Sequence, residues 1–306
     1  GGSPTTLMTA REILASVAAE GQRLDRFVCA ALPSLGRAAA RRLIEAGLVR
    51  VNGRRASAGA RLRDGDRVVI DAEAEQTVVA DAGVPLRVCW EDEWLVAVDK
   101  PSGIATHPLR PGERGTLASG LLARYPEMAG VGYSPREPVI VHRLDRDTSG
   151  LVLAARDAQT FAALRALLER GAIDKRYLAV CAGQVQAPAE HEAWLSARGR
   201  RVTVREHAFG TAQPIRTELL EVEVHGAFSL VTVRVWRAHR HQIRAHLAML
   251  GHPIAGDALY GGPAIQGLQR HLLHASSLRF THPRTGALLA IDAEPPAELL
   301  AARDHV

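Results

Sequence analysis

The chain has 306 residues, 47% of them apolar and 23% charged, enough apolar material for one large core or for a large and a small domain. No stretch approaches eighteen uninterrupted apolar residues, which argues against a helical membrane span. Cys29, Cys89 and Cys181 are odd in number, widely spaced and without a C-x-x-C, which argues against disulfides and a cysteine zinc site and makes the cytoplasm the default compartment. The positive charge is concentrated. Residues 20–71 hold eleven arginines and no lysine against six acids, an excess of five that equals the formal charge of the whole chain. Arginine forks gathered in one segment suit phosphate; a solvated helical face is the competing reading.

In chain order, Gly1-Gly2-Ser3-Pro4 has no charged or apolar leader pattern, and residues 1–19 are expected to be a loose or appended segment outside the fold. Residues 20–72 read as a small α/β unit. Leu24, Phe27, Val28 and Ala31 recur at helical spacing, and Pro33-Ser34 breaks the pattern. A second helix is predicted from about Arg37 to Ala46, ending at Gly47. Leu48–Val51, Asn52-Gly53 and Arg54-Arg55 form a hairpin signal, and a last strand covers Arg67–Ile70. Arg37 and Arg41 lie four apart on one helix face with Arg42 beside them, and Arg50, Arg54 and Arg55 flank the hairpin. These six are the candidate phosphate contacts. The unit resembles the S4 RNA-binding domain, in which the second helix and the following turn face RNA.

Residues 73–84 read as a linker, and a large domain is expected over 85–306. Leu86–Trp90 and Leu95–Val98 suggest a hairpin, and Val139–Val141 and Leu151–Leu153 two strands that bracket a polar loop. Asp157 is placed to cap a helix burying Phe161, Leu164, Leu167 and Leu168 and closed by Gly171. Tyr177–Val180, Glu218–Val224 and Ser229–Val235 are further strands, and Gln242–Leu250 a further helix. Strands outnumber helices and short turns join some of them, so the predicted class is α+β with a mixed, largely antiparallel sheet.

The loop between the bracketing strands is His142-Arg143-Leu144-Asp145-Arg146-Asp147-Thr148-Ser149-Gly150. Its residues suit turn chemistry and surface ion pairing as well as catalysis. Asp145 and Asp147 have Asp-x-Asp spacing but lack the remaining oxygen ligands of a calcium loop. The run, read with the motifs that follow it, resembles the RluA-type pseudouridine synthase family, whose hallmark is His-Arg-Leu-Asp-x-x-Thr-Ser-Gly. Its companions stand in order: Lys100–Ile104 with Thr106-His107-Pro108, Lys175-Arg176-Tyr177, His241–His246, Gly251–Ile254 with Gly256-Asp257 and Tyr260-Gly261, and Leu273-His274-Ala275. The likeness spans about 85–296.

The resemblance implies isomerisation of uridine to pseudouridine without a cofactor. One carboxylate, assigned to Asp145, acts either on ribose C1′ or on the C2′ proton, and the residues leave that choice open. Arg244 is implied to compensate the buried carboxylate, against the alternative of an exposed helix arginine. Tyr177 would pack on the uracil face, against the alternative of a plain strand tyrosine, and Ile243 would line the pocket. Arg143 would fill the space left by the everted uridine or hold the flanking phosphate. His142 and Lys100 complete the candidate substrate-binding set, with a purely structural loop role favoured for His142. The family commonly has Thr-Gly-Arg where this chain has Arg237-Ala238-His239, which bears on substrate choice or RNA grip.

His239, His241, His246 and His252 do not share one helix face and have no His-Glu-x-x-His or cysteine partner, so no metal is expected. The glycines at 261, 262 and 267 follow no phosphate-loop pattern. The expected partner is RNA, with large-subunit ribosomal RNA ahead of transfer RNA because of the S4-like unit; a monomer is expected. The competing classes are a non-enzymatic RNA-binding assembly factor on the same scaffold and a metal-dependent nucleic-acid hydrolase.

Overall fold

The computed structural model describes residues 11–32, 37–71, 78–109, 112–134 and 137–304. The first unit contains β1 (Arg11–Leu14), α1 (Leu24–Ala31), α2 (Arg37–Glu45), β2 (Val49–Val51), β3 (Arg54–Arg55) and β4 (Arg67–Ile70). Its four strands run β1-β4-β2-β3, antiparallel throughout. Leu24 and Val28 of α1 and Leu43 and Ile44 of α2 are buried against Val49, Val68 and Ile70, which is the helical and strand periodicity closing on one small core. Asn52 and Gly53 both adopt positive φ, 51° and 78°, the conformation that a two-residue hairpin turn requires.

The expectation for residues 1–19 is corrected here. Residues 11–14 pair along the whole of β4, and Ala15 and Ala19 are buried in the small core. The absence of a strong apolar alternation hid this edge strand, since Ile13 is its one apolar side chain packed on the core and Leu14 is exposed. Residues 1–10 lie outside the described residues.

The second unit is built on a ten-stranded sheet. Its strands are β5 (Arg87–Glu91), β6 (Leu95–Lys100), β9 (Ser149–Ala155), β10 (Asp174–Ala182), β11 (Ala189–Ser196), β12 (Thr203–Arg205), β13 (Gln213–His225), β14 (Phe228–Val235), β15 (Leu273–Thr281) and β16 (Leu288–Asp292). The order is β12-β11-β13-β14-β10-β15-β9-β6-β5, with β16 on β15; β7 (Gly132–Ser134) and β8 (Glu137–Pro138) form a separate pair. Among the described strands β9 and β15 are the parallel neighbours, and every other pair is antiparallel. All seven residues of β9 are buried, as a central strand covered on both faces must be. The helices are α3 (Leu117–Arg124), α4 (Ala158–Glu169), α5 (Gln242–Met249) and α6 (Ala297–Asp304). Asp157 caps α4 by accepting from the Thr160 amide at 2.8 Å.

Two further expectations change. Residues 78–84 are not a free linker: Val78 and Val84 are buried, and Asp81 accepts from the Gly115 amide. Val139–Val141 is a single antiparallel bridge and not a full strand: Val139 turns at φ 54°, Ile140 bridges Ala154, and the flanking backbone bonds run from the Val141 amide to the Leu153 carbonyl and from the Ala155 amide to the Val139 carbonyl. The run is apolar because all three side chains are buried beside β9.

The parallel junction places the hallmark loop. Residues 142–148 lead directly into β9, whose first two residues pair with His274 and Ala275 of β15. Gly150 sits there at φ 113°, and a Cβ on it would lie 2.2 Å from the Ala275 carbonyl oxygen. Gly150→Ala therefore cannot be accommodated without separating β9 from β15. It is expected to lower the unfolding free energy by more than about 3 kcal/mol, read as a fall in the urea midpoint. An unchanged midpoint would contradict this packing.

Candidate active site

The hallmark loop is held from several sides. Thr106 Oγ1 donates to the Leu144 carbonyl at 2.8 Å and accepts from the Leu144 amide. The Gly103 amide donates to the Arg146 carbonyl, and Arg146 Nε donates back to the Gly103 carbonyl. Thr148 Oγ1 meets His271 Nε2 at 2.7 Å, and Arg270 Nη1 donates to the Asp147 carbonyl. Residues far apart in sequence thus fix the backbone on both sides of Asp145, whose carbonyl accepts the Thr148 amide in a turn.

Asp145 faces Arg244 on α5. Arg244 Nη1 donates to Asp145 Oδ2 at 2.9 Å, while Nε and Nη2 donate to the two oxygens of Asp257 at 2.7 and 2.8 Å. Arg244 is 7% exposed and Asp257 1%. Burial opposes the guanidinium charge, but the hydrogen bonds and charges of Asp257 and Asp145 hold it protonated beyond the ordinary arginine range. Its face stacks over Tyr260, 5.2 Å from the ring centroid. Tyr260 OH meets His241 Nδ1 at 2.9 Å, and His241 Nε2 lies 3.7 Å from Asp145 Oδ2. His241 holds this place with a left-handed backbone, φ 54°, immediately before α5.

Tyr177 and Ile243, each 5% exposed, line the same cleft with Leu144, Val235 and Leu273. Burial first, then the Asp145 charge, pushes the Tyr177 phenol above its ordinary range, so it is neutral at physiological pH. The cleft is narrow, about 50 Å³, and the exposed Arg143 stands on its rim with Ala238 and His239.

Two candidates belong elsewhere. Lys100 is fully buried, and its ammonium donates to the carbonyls of Pro101, Ile104 and Arg146. All three protons are committed, so Lys100 clamps the loop and has none left for a substrate. His142 is turned away from Asp145 and accepts the Leu153 amide through Nε2, which requires a neutral ring; burial and the Lys175 charge push its pKa down to about 3. The remaining histidines also have separate partners: His246 Nδ1 meets Thr217 Oγ1, and His252 Nδ1 meets the Ala182 carbonyl.

In the first unit Arg50 and Arg55 are directly opposed across β2 and β3, and Arg50, Arg54 and Arg55 are exposed. Arg41 is exposed but leans on the buried Asp25, which also holds Arg23. The side chains of Arg37 and Arg42 lie outside the described residues.

The sequence reading missed Asp257, Tyr260, His241 and His271 as parts of one site. Gly256-Asp257 and Tyr260-Gly261 were visible as motifs, but nothing in their spacing says that they close on Arg244. A Cβ on Gly256 would lie 2.0 Å from the Arg270 carbonyl, so the glycine permits the tight crossing that presents Asp257.

Asp257→Asn is expected to destabilise the fold by about 3 kcal/mol in urea unfolding, since it strips a buried guanidinium of its bidentate partner. A second expectation concerns Lys175, 3% exposed, whose pKa burial and the neighbouring Arg165 push down to about 8. The folded chain then binds fewer protons than the unfolded chain between about pH 8 and 10.4, the ordinary lysine value. Its contribution to stability rises with pH through that window. Lys175→Met should flatten that part of the rise in urea midpoints; an unaltered slope would refute it.

A family model described as RNA pseudouridylate synthase matches residues 94–249, and an S4 domain model matches residues 22–68. An uncharacterized RNA pseudouridine synthase of Chloroflexus aurantiacus is 37% identical over 281 residues, 91% of this chain and 88% of its own length. A ribosomal large subunit pseudouridine synthase D of Xanthomonas campestris is 32% identical over 306 aligned positions, 94% of this chain and 90% of its own length. Among solved structures, human RNA pseudouridylate synthase domain containing 4 shares the fold with a TM-score of 0.57 at 19% identity, covering 70% of this chain and 90% of that one. The family match over more than half of the chain, and relatives above 30% identity along nine-tenths of it, show that the protein belongs to the RNA pseudouridylate synthase family and carries an S4 domain in its N-terminal part.

Proposed function

We propose that the chain isomerises specific uridines of large-subunit ribosomal RNA to pseudouridine, with Asp145 as the reacting carboxylate. The observation that carries this reading is the Asp145–Arg244–Asp257 clamp inside a narrow, mostly apolar cleft. A permanently charged partner, hydrogen-bonded to the carboxylate, fixes its orientation. One oxygen of Asp145 is engaged by Arg244, and the other is left for ribose C1′ or the C2′ proton. The N1–C1′ bond breaks, the uracil turns, and a C5–C1′ bond forms; the C5 proton is released and N1 gains one, so substrate and product are isomers. No second carboxyl group is needed because the leaving uracil anion is recaptured and not replaced by water, unlike a hydrolysed glycoside.

Tyr177 and Ile243 supply the walls against which a pyrimidine packs, and the neutral phenol adds no charge to compete with Asp145. The everted base enters this narrow cleft from its rim. Arg143, exposed on that rim, takes the vacated position in the RNA or its flanking phosphate. The S4 unit docks RNA through Arg50, Arg54, Arg55 and Arg41, with Arg37 and Arg42 as further contacts on the same helix. The ribosomal target rests on the relatives named large-subunit synthases and on the S4 unit they accompany here. The protein acts as a cytoplasmic monomer without a metal or cofactor; among the described residues no helix is long and apolar enough to cross a membrane.

Tritium release from C5-labelled large-subunit ribosomal RNA tests the activity. Asp145→Asn should abolish release while RNA affinity stays within about tenfold, because the contacts that position RNA are mostly to phosphate. Turnover by that variant, or none by the wild type, would end the proposal. Replacing Arg50 and Arg55 together by Ala should lower the slope of log affinity against log salt by about 2.

A further inference from the structure

Beside the uridine cleft lies a second and much larger cavity of about 720 Å³ that shares Arg143 and Ala238 with it. A volume of this size is in the range of pockets that take a whole small ligand. Ile140, Val141 and Leu168 provide an apolar wall, each no more than 6% exposed. Arg237 and Arg143 are exposed at its edge. Lys175 lines it from β10, two residues before Tyr177. The Lys175 ammonium has no hydrogen-bond or ion-pair partner among the described residues, although the side chain is 97% buried. His107 Nε2, also on this cavity, is buried without a partner among the described residues.

Those features are hard to explain by folding. A lysine this deeply set, with no acceptor for its ammonium on the cavity wall, costs a fold stability, and burial lowers its pKa. The other lysine of the chain, Lys100, has every proton engaged. The cavity is lined by four cations, Arg143, Arg165, Lys175 and Arg237, against two carboxylates, Glu137 and Glu169, the latter paired with Arg165; an anion would meet this net positive charge, and a planar ring would meet an aliphatic wall. Both belong to a nucleotide.

We propose that this cavity is a second nucleotide subsite, which takes the residue adjoining the target uridine, with its phosphate at Lys175, Arg143 and Arg237 and its base against Ile140, Val141 and Leu168. The inference rests on the proposed function for its RNA substrate and adds the recognition of a neighbour. Because Arg143 and Ala238 border both spaces, the two nucleotides would be adjacent along one strand. Unstacking of the neighbour would then accompany eversion of the uridine, and specificity would be read at two positions.

Steady-state tritium release from a large-subunit ribosomal RNA transcript, with the full chain, is the first measurement. Arg237→Glu and Lys175→Met should raise KM at least tenfold with kcat changed less than threefold; Arg237→Lys should restore most of the loss. The wild-type KM should climb above about pH 8 as Lys175 loses its proton, and Lys175→Met should remove that climb. Unchanged KM in both variants, or a fall in kcat alone, would overturn the subsite. Arg237 is exposed, so its variants test the inference even where Lys175→Met folds poorly. Should the wild type not turn the transcript over, the proposed activity fails first, and calorimetry with cytidine 5′-monophosphate then decides the subsite. Binding retained in Asp145→Asn and lost in Arg237→Glu supports it; absent or equally retained binding overturns it.

Discussion

The position of Asp145 is set by Arg244, which is locked beside it and donates to one of its oxygens. Arg244 in turn is held by more than that single contact. Two of its nitrogens are bound to Asp257, its face rests on Tyr260, and only the remaining nitrogen reaches Asp145. A buried guanidinium with one carboxylate would be a poorly fixed ion pair; with two it is a rigid donor aimed at the reacting group. The less exposed partner, Asp257, anchors it, and the more accessible one, Asp145, is presented to the cleft. The division of roles follows from burial and geometry, since the two carboxylates are chemically alike.

Everything around the clamp serves to bring distant pieces of chain to one point. The loop of Asp145 enters a central strand at the parallel junction of β9 and β15, where Gly150 allows the backbones to touch. Lys100 at the end of β6 and Thr106 just beyond it grip that loop, and so do Arg270 and His271 in the segment that leads into β15. The helix carrying Arg244 starts from His241, whose strained backbone places its ring between Tyr260 and Asp145. The hallmark loop, Tyr177, His241–Arg244 and Leu273 line the cleft, while Lys100, Thr106, Asp257 and Tyr260 hold the lining residues in place.

The replacement of the usual Thr-Gly-Arg by Arg237-Ala238-His239 also gains a location. All three residues lie between the uridine cleft and the larger cavity beside it, with Ala238 bordering both. The guanidinium stands at 237 and not at 239, in the lining of the larger cavity, and none of the hydrogen bonds of the Asp145–Arg244–Asp257 clamp involves these three residues.

Some of this was decided by local sequence. The helical spacing of Leu24, Phe27 and Val28, the Asn52-Gly53 turn, the Asp157 cap and the apolar strands β10, β13 and β14 depend on neighbours within a few residues, so they were legible before any fold. The ordered motifs singled out Asp145, Tyr177 and Arg244, which the fold brings to one cleft, and pointed to the family. Residues 11–14, 78–84 and 139–141 were misread because their structure comes from distant partners: the edge of β4, the helix α3 and the end of β9. The roles of Lys100 and Asp257 were undecidable in one dimension for the same reason. A lysine looks alike whether it faces phosphate or three carbonyls, and only the close approach of Pro101, Ile104 and Arg146 settles which; an aspartate becomes an anchor only once the chain folds it onto Arg244. Local propensity wrote the elements, and burial with long-range hydrogen bonding assigned the charged side chains their work.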